Sequence, residues 1–108
     1  MAFKITKRPT FSVQVEVFTP NDKCGHDYSK FTAQFLRTRV DELEDLRKLT
    51  QQDVMRRKLC GWEDFNDEEN QPVLFSEETL ETLINIPEAL NGLGLAFWSN
   101  VVKAREKN

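Results

Sequence analysis

Two stretches of apolar–polar alternation constrain the fold of this chain more than any other feature. Thr10–Phe18, TFSVQVEVF, sets Phe11, Val13, Val15 and Val17 against Ser12, Gln14 and Glu16. Ser29–Arg37, SKFTAQFLR, does the same with Phe31, Ala33 and Phe35. A period of two sends alternate side chains to opposite faces of a strand, so both stretches read as half-buried strands. Between them, Thr19-Pro20-Asn21-Asp22 is turn chemistry and Gly25 falls in the same loop. The expected unit is an antiparallel β-hairpin over residues 10–37 with a long, mobile loop, and Phe3-Lys4-Ile5 offers a further short edge. Two strands alone are marginal in water, so their apolar face requires helices over it.

The rest of the chain supplies those helices. Thr38-Arg39-Val40-Asp41 has capping-box spacing, and Val40, Leu43, Leu46 and Leu49 then recur every third residue. Thr50 reads as a second N-cap, leading into Val54, Met55, Leu59 and Cys60, and Gly61 stands where a C-cap glycine belongs. Residues 63–72 read as an acidic loop, and Pro72–Phe75 as a short extended return. Ser76-Glu77-Glu78 is a helix start, with a hydroxyl cap and acids where the helix dipole favours them. Pro87 ends that helix and suits the first turn of another. From there Leu90, Leu93, Phe97, Val101 and Ala104 form one apolar stripe, with Leu95, Trp98 and Val102 beside it. Gly92 and Gly94 each weaken this last helix by roughly 1 kcal/mol relative to alanine, which predicts a bend or break there. The fold class is therefore α+β, a single domain over residues 1–108. Its hairpin packs against three to four helices in a helical part spanning residues 38–105. Phe11, Val13, Val15, Val17, Trp62 and Phe75 are expected to be largely buried.

Composition narrows function. A chain of 108 residues with 39% hydrophobic and 31% charged residues is an ordinary globular domain with one modest core. The opening MAFKITKRPTF lacks the apolar stretch of a signal peptide, so a cytoplasmic protein with reduced Cys24 and Cys60 is expected. The net charge of −3 hides a split: residues 1–60 carry twelve Lys/Arg against eight acids, whereas residues 61–100 carry nine acids and no base. Such a division orients a charged partner, or simply pairs across the fold.

Enzyme signatures are sparse. The chain holds no phosphate-binding glycine loop, nucleophile elbow or paired-histidine zinc motif, and its one histidine is His26. Cys24-Gly25-His26-Asp27, even with Cys60, offers three Cys or His ligands where structural zinc takes four. The acidic run lacks the glycine and spacing of a calcium loop. A nucleic-acid surface built on Arg37, Arg39, Arg56, Arg57 and Lys58 sits poorly with a pI of about 5.2. No catalytic, cofactor-binding or metal-ligating residue is expected. Two features stand out instead. Trp62 reads as a structural anchor, with Phe75, tying the acidic loop to the fold. The Leu95, Trp98 and Val102 stripe is either further core or a partner site, and pattern alone serves both readings.

The order of steps in the second half breaks that tie. Gly61-Trp62-Glu63, an acidic loop, Pro72-Val73-Leu74-Phe75-Ser76-Glu77-Glu78, Ile86-Pro87 and a basic end at Lys107-Asn108 resemble the tail assembly chaperones of long-tailed bacteriophages and prophages. Leu74 stands where the family pattern carries a second proline, and Asn91-Gly92-Leu93-Gly94 is richer in glycine than the corresponding helix of relatives. The resemblance implies a non-enzymatic protein of the bacterial cytoplasm that binds the tape measure protein and helps recruit tail tube protein. It implies absence from the mature virion, and a longer product made by ribosomal frameshifting. Self-association is a further expectation; no nucleic-acid or membrane partner is expected. A small cytosolic adaptor or regulator of one protein partner is the alternative reading, and a nucleic-acid accessory the third.

Overall fold

A computed structural model describes residues 2–5 and 7–106 of the chain, with side chains as far as Val101. β1 (Thr10–Pro20) and β2 (His26–Leu36) form an antiparallel hairpin, followed by α1 (Val40–Arg47) and α2 (Gln51–Lys58). A third strand, β3 (Leu59–Glu63), precedes α3 (Glu77–Ile84) and α4 (Pro87–Glu106). The sheet order is β1-β2-β3, antiparallel throughout, with β1 and β3 as its edges. The architecture is α+β, hairpin first and helices after.

The alternation decides which faces meet, and the turn fixes the hairpin register. Phe11 faces Phe35, Val13 faces Ala33 and Val15 faces Phe31, so the apolar sets of both strands share one face. The strands run further than the pattern suggests and leave only residues 21–25 as a loop. Asn21 closes it, its Oδ1 accepting from the Lys23 and Gly25 amides at 3.0 and 3.1 Å. Cys24 turns the chain with a φ of 63°. The expected long loop is thus short and internally bonded, because paired backbone extends where polar residues permit it. Phe3-Lys4-Ile5 adds no strand; both apolar side chains are exposed.

Helix starts follow their caps with one exception. Thr50 Oγ1 accepts from the Asp53 amide, and Ser76 Oγ from the Thr79 amide at 3.1 Å. Pro87 opens α4, where its missing N–H costs nothing. At α1 the N-cap is Arg39, not Thr38, and Glu42 Oε1 reaches back to the Arg39 amide at 3.1 Å. The other oxygen of the same carboxylate is held by Lys58, whose Nζ lies 2.9 Å from Glu42 Oε2 and 3.2 Å from the Arg37 carbonyl. Val40 faces solvent, and the Thr38 hydroxyl is buried without a partner.

β3 corrects the expectation of a C-cap at Gly61. No glycine among the described residues has a positive φ, and Gly61 lies inside the strand opposite Gln34. The pairing skips a residue between Phe35–Leu59 and Gln34–Gly61, a bulge at Cys60. Leu59 and Trp62 are three apart and would point to opposite faces of a regular strand. The bulge turns both toward the apolar face, beside Phe35 and Ala33.

The core lies between this face and the helices: Val15, Ala33, Phe35, Met55, Ile84, Leu93 and Phe97 are all buried. α4 crosses β1 as one unbroken helix, contrary to the expected break. Its glycines mark close approaches: a Cβ on Gly92 would strike the Glu16 carbonyl oxygen, and one on Gly94 would meet the Gln51 side-chain amide. Of the residues expected inside, Val15 and Val17 are buried, while Phe11, Val13 and Trp62 are half-buried. Phe75 is 37% exposed, because it covers the outer edge of Trp62 instead of entering the core.

The two glycines predict opposite outcomes. Gly92→Ala should destabilise by about 1–3 kcal/mol in urea unfolding, since backbone must move, despite a helix-propensity gain of ~1 kcal/mol. Gly94→Ala displaces only a flexible side chain and should change stability by less than about 1 kcal/mol.

Candidate functional site

α4 carries one large apolar side chain outside the core. Leu93 and Phe97 point into the core, and Phe97 stacks with Phe11 and packs tilted against Phe35, at 6.5 and 5.2 Å between ring centres. Leu95, on the other side of the helix, is 62% exposed. It borders a groove of about 270 Å³ between α4 and β1, with Gly92, Ala96 and Phe18 as apolar surface and Glu16 and Glu88 as its charged groups. No lysine or arginine lines it.

Trp98 is placed differently. It packs edge-on against Phe97 at 5.1 Å, its indole N–H donates to Gln51 Oε1 at 3.3 Å, and the Arg47 guanidinium lies 5.8 Å from its ring centre. Half-buried and held from α1 and α2, it closes one flank of α4. The three residues expected as one stripe therefore divide: Leu95 is open, Trp98 is partly structural, and the Val102 side chain lies outside the described residues.

Phe18 was not among the expected site residues, although its parity marks it. It shares the outer face of β1 with Gln14 and Glu16, pairs across the hairpin with Tyr28 at 5.2 Å, and borders the Leu95 groove. An aromatic on the polar side of an alternating strand was the available signal.

The anchor role of Trp62 has a clear geometry. Its indole N–H donates to the Val73 carbonyl at 2.7 Å, and Phe65 and Phe75 lie 5.0 and 4.8 Å from its ring. Phe65 in turn touches Phe31 at 5.6 Å, so an aromatic chain runs from the sheet to the loop. The acidic loop is itself ordered: Asp67 Oδ1 accepts from the Glu69 and Gln71 amides, and Val73 N–H returns to the Phe65 carbonyl at 2.9 Å.

The perturbed titrating groups report scaffolding. The Glu81 carboxyl is held below its ordinary range by its hydrogen bond from Arg56, whose guanidinium is shifted up in turn by Glu81 and then Asp53. Burial pushes the Cys60 thiol up, which makes it a weaker nucleophile at neutral pH. Among the described residues, no group of three or more Cys, His, Asp or Glu side chains could hold a metal ion. No helix among them is long and apolar enough to cross a membrane. Comparison with protein-family models, curated proteins and solved structures finds no match to the chain.

The Lys58–Glu42 pair gives a pH test of this scaffold. Lys58 is 5% exposed and Glu42 43%. Hydrogen bonds from Lys58 and then from the Arg39 amide hold the Glu42 carboxyl below its ordinary value of 4.5. Its contribution is therefore complete above that value and lost as pH falls through the lower folded value. Glu42→Gln should cost about 1–2 kcal/mol at pH 7, less than a fully buried pair because Glu42 is partly solvated. The difference from wild type should shrink as pH falls below about 4. Lys58→Met should cost less than Glu42→Gln, since it removes the buried charge and leaves a carboxylate that is half-exposed to water.

Proposed function

We propose that this protein is a non-enzymatic tail assembly chaperone of a long-tailed bacteriophage or prophage. It acts in the bacterial cytoplasm, binds the tape measure protein, keeps it soluble and assists assembly of tail tube protein around it. The observation that carries this reading is Leu95, an exposed leucine on a long helix, beside a groove with apolar surface and acids at its edge. A long helical client presents apolar residues at three- and four-residue spacing, which suits packing along such a helix. The family is proposed on the resemblance in the order of sequence steps from Gly61 to Pro87.

The surface works by surplus. Leu93 and Phe97 complete the core from one side of α4, so Leu95 is free for a client without loss of folding. The nine acids of residues 61–100 keep an otherwise adhesive helical region soluble through net charge. A single-partner adaptor would use the same surface, and the genes beside this one separate the two readings. A tail tube gene upstream and a very long coding frame downstream belong only to the first.

Co-expression provides the test. The tape measure protein encoded beside this gene should stay soluble with the wild-type chain and co-purify with it. Leu95→Glu should weaken that capture about tenfold, the effect of losing ~1.4 kcal/mol at an interface anchor. Its circular dichroism spectrum should remain unchanged, because the side chain is exposed. Capture equal to wild type would remove the client surface from α4, and a tape measure protein insoluble in both cases would remove the chaperone reading.

A further inference from the structure

A second groove lies away from α4, at the free end of β3. It is lined by Trp62, Phe65, Phe75 and Leu74, with the carboxylates of Glu63 and Asp64 beside them, and encloses about 340 Å³. Leu74 is 78% exposed, and Trp62, half-buried, packs against Phe65 and the partly exposed Phe75. The internal bonds of the loop fix this arrangement: Trp62 N–H holds Val73, and Asn66 bridges Pro72.

The charge of the groove selects its occupant. No lysine or arginine lines it, and residues 61–100 hold nine acids without one base. Aromatic faces flanked by carboxylates attract lysine and arginine twice over, by ring quadrupole and by opposite charge. The fold already places arginines over rings elsewhere, Arg37 over Phe11 and Arg47 over Trp98, each at 5.8 Å. Around Trp62 the rings and acids are present and the cation is not supplied by the groove's own residues. Exposed leucine beside them adds a place for an apolar side chain.

We infer that this groove is a second docking site, for an extended segment of a partner protein in which lysine or arginine alternates with apolar residues. The cations lie against Trp62 and Phe75 and pair with Glu63 and Asp64, while an apolar side chain covers Leu74. The site is independent of α4, so neither test decides the other.

A tryptophan titration tests it, using a Trp98→Phe background in which Trp62 is the reporter. The probe is the synthetic peptide acetyl-GKLKFKLG-amide, with the lysines replaced by glutamates in the control. The lysine peptide should change Trp62 fluorescence saturably, and its affinity should fall about tenfold between about 50 and about 500 mM salt. Leu74→Glu alone should keep the charge attraction but lower the salt-independent part. The double variant Glu63→Gln with Asp64→Asn should weaken binding about tenfold and flatten the salt dependence. Absence of saturation, equal binding of the glutamate peptide, or full affinity in the double variant would each overturn the proposal. Concentration-dependent self-association of the chain, abolished by Leu74→Glu, would also overturn it by assigning the groove to a second copy.

Discussion

The contact on which the rest of this fold depends is the close approach of α4 to β1 at Gly92. With no Cβ between them, the helix lies directly over the Glu16 carbonyl, near enough for Leu93 and Phe97 to fill the space above Val15 and Phe35. The ring cluster of Phe11, Phe35 and Phe97 forms only at that distance, with centroid separations of 5.2–6.5 Å. The same placement determines what α4 turns outward. A helix seated on its Leu93 side must carry Leu95 away from the core, which makes the open leucine a consequence of the packing.

The third strand depends on that core in a different way. Leu59–Glu63 is short, and its pairing with β2 needs a bulge to bring Leu59 and Trp62 to the same face. Once there, Trp62 links the sheet, through Phe65 and Phe31, to a loop that would otherwise have few apolar contacts. The acidic segment is thereby held against the fold by aromatic packing and one indole hydrogen bond, despite its charge. Its carboxylates remain outside, beside the rings that anchor it.

Charge organises the periphery. Arg56 of α2 takes Asp53 and Glu81 together, at 2.7 Å each, and so ties the basic region to the acidic one across α2 and α3. Exposed pairs of this kind contribute little each, and their value is in orientation. Lys58 is the exception, nearly buried and therefore dependent on Glu42 and the Arg37 carbonyl. Glu42 thus serves two roles at once, closing the start of α1 at the Arg39 amide and pairing with Lys58 from α2.

Alternation in TFSVQVEVF and SKFTAQFLR determined by itself the hairpin and its buried face, because a period of two sends those phenylalanines and valines to one side; the register came from the short turn after Pro20. Thr50, Ser76 and Pro87 likewise determined three helix starts through bonds local to a single turn. β3 was not legible: five residues with an internal glycine and a bulge have no period to read, and their strand conformation exists only through β2. Nor did the glycines of α4 reveal their purpose, since propensity counts their cost while the Glu16 carbonyl and the Gln51 side chain supply the reason. The candidate surfaces divide in the same way. Sequence spacing grouped Leu95 with Trp98 and placed Phe75 inside. The tertiary structure separated the first pair and turned Phe75 outward, because exposure depends on which neighbours arrive from distant segments, here Gln51, Arg47 and Trp62, and no local pattern encodes their arrival.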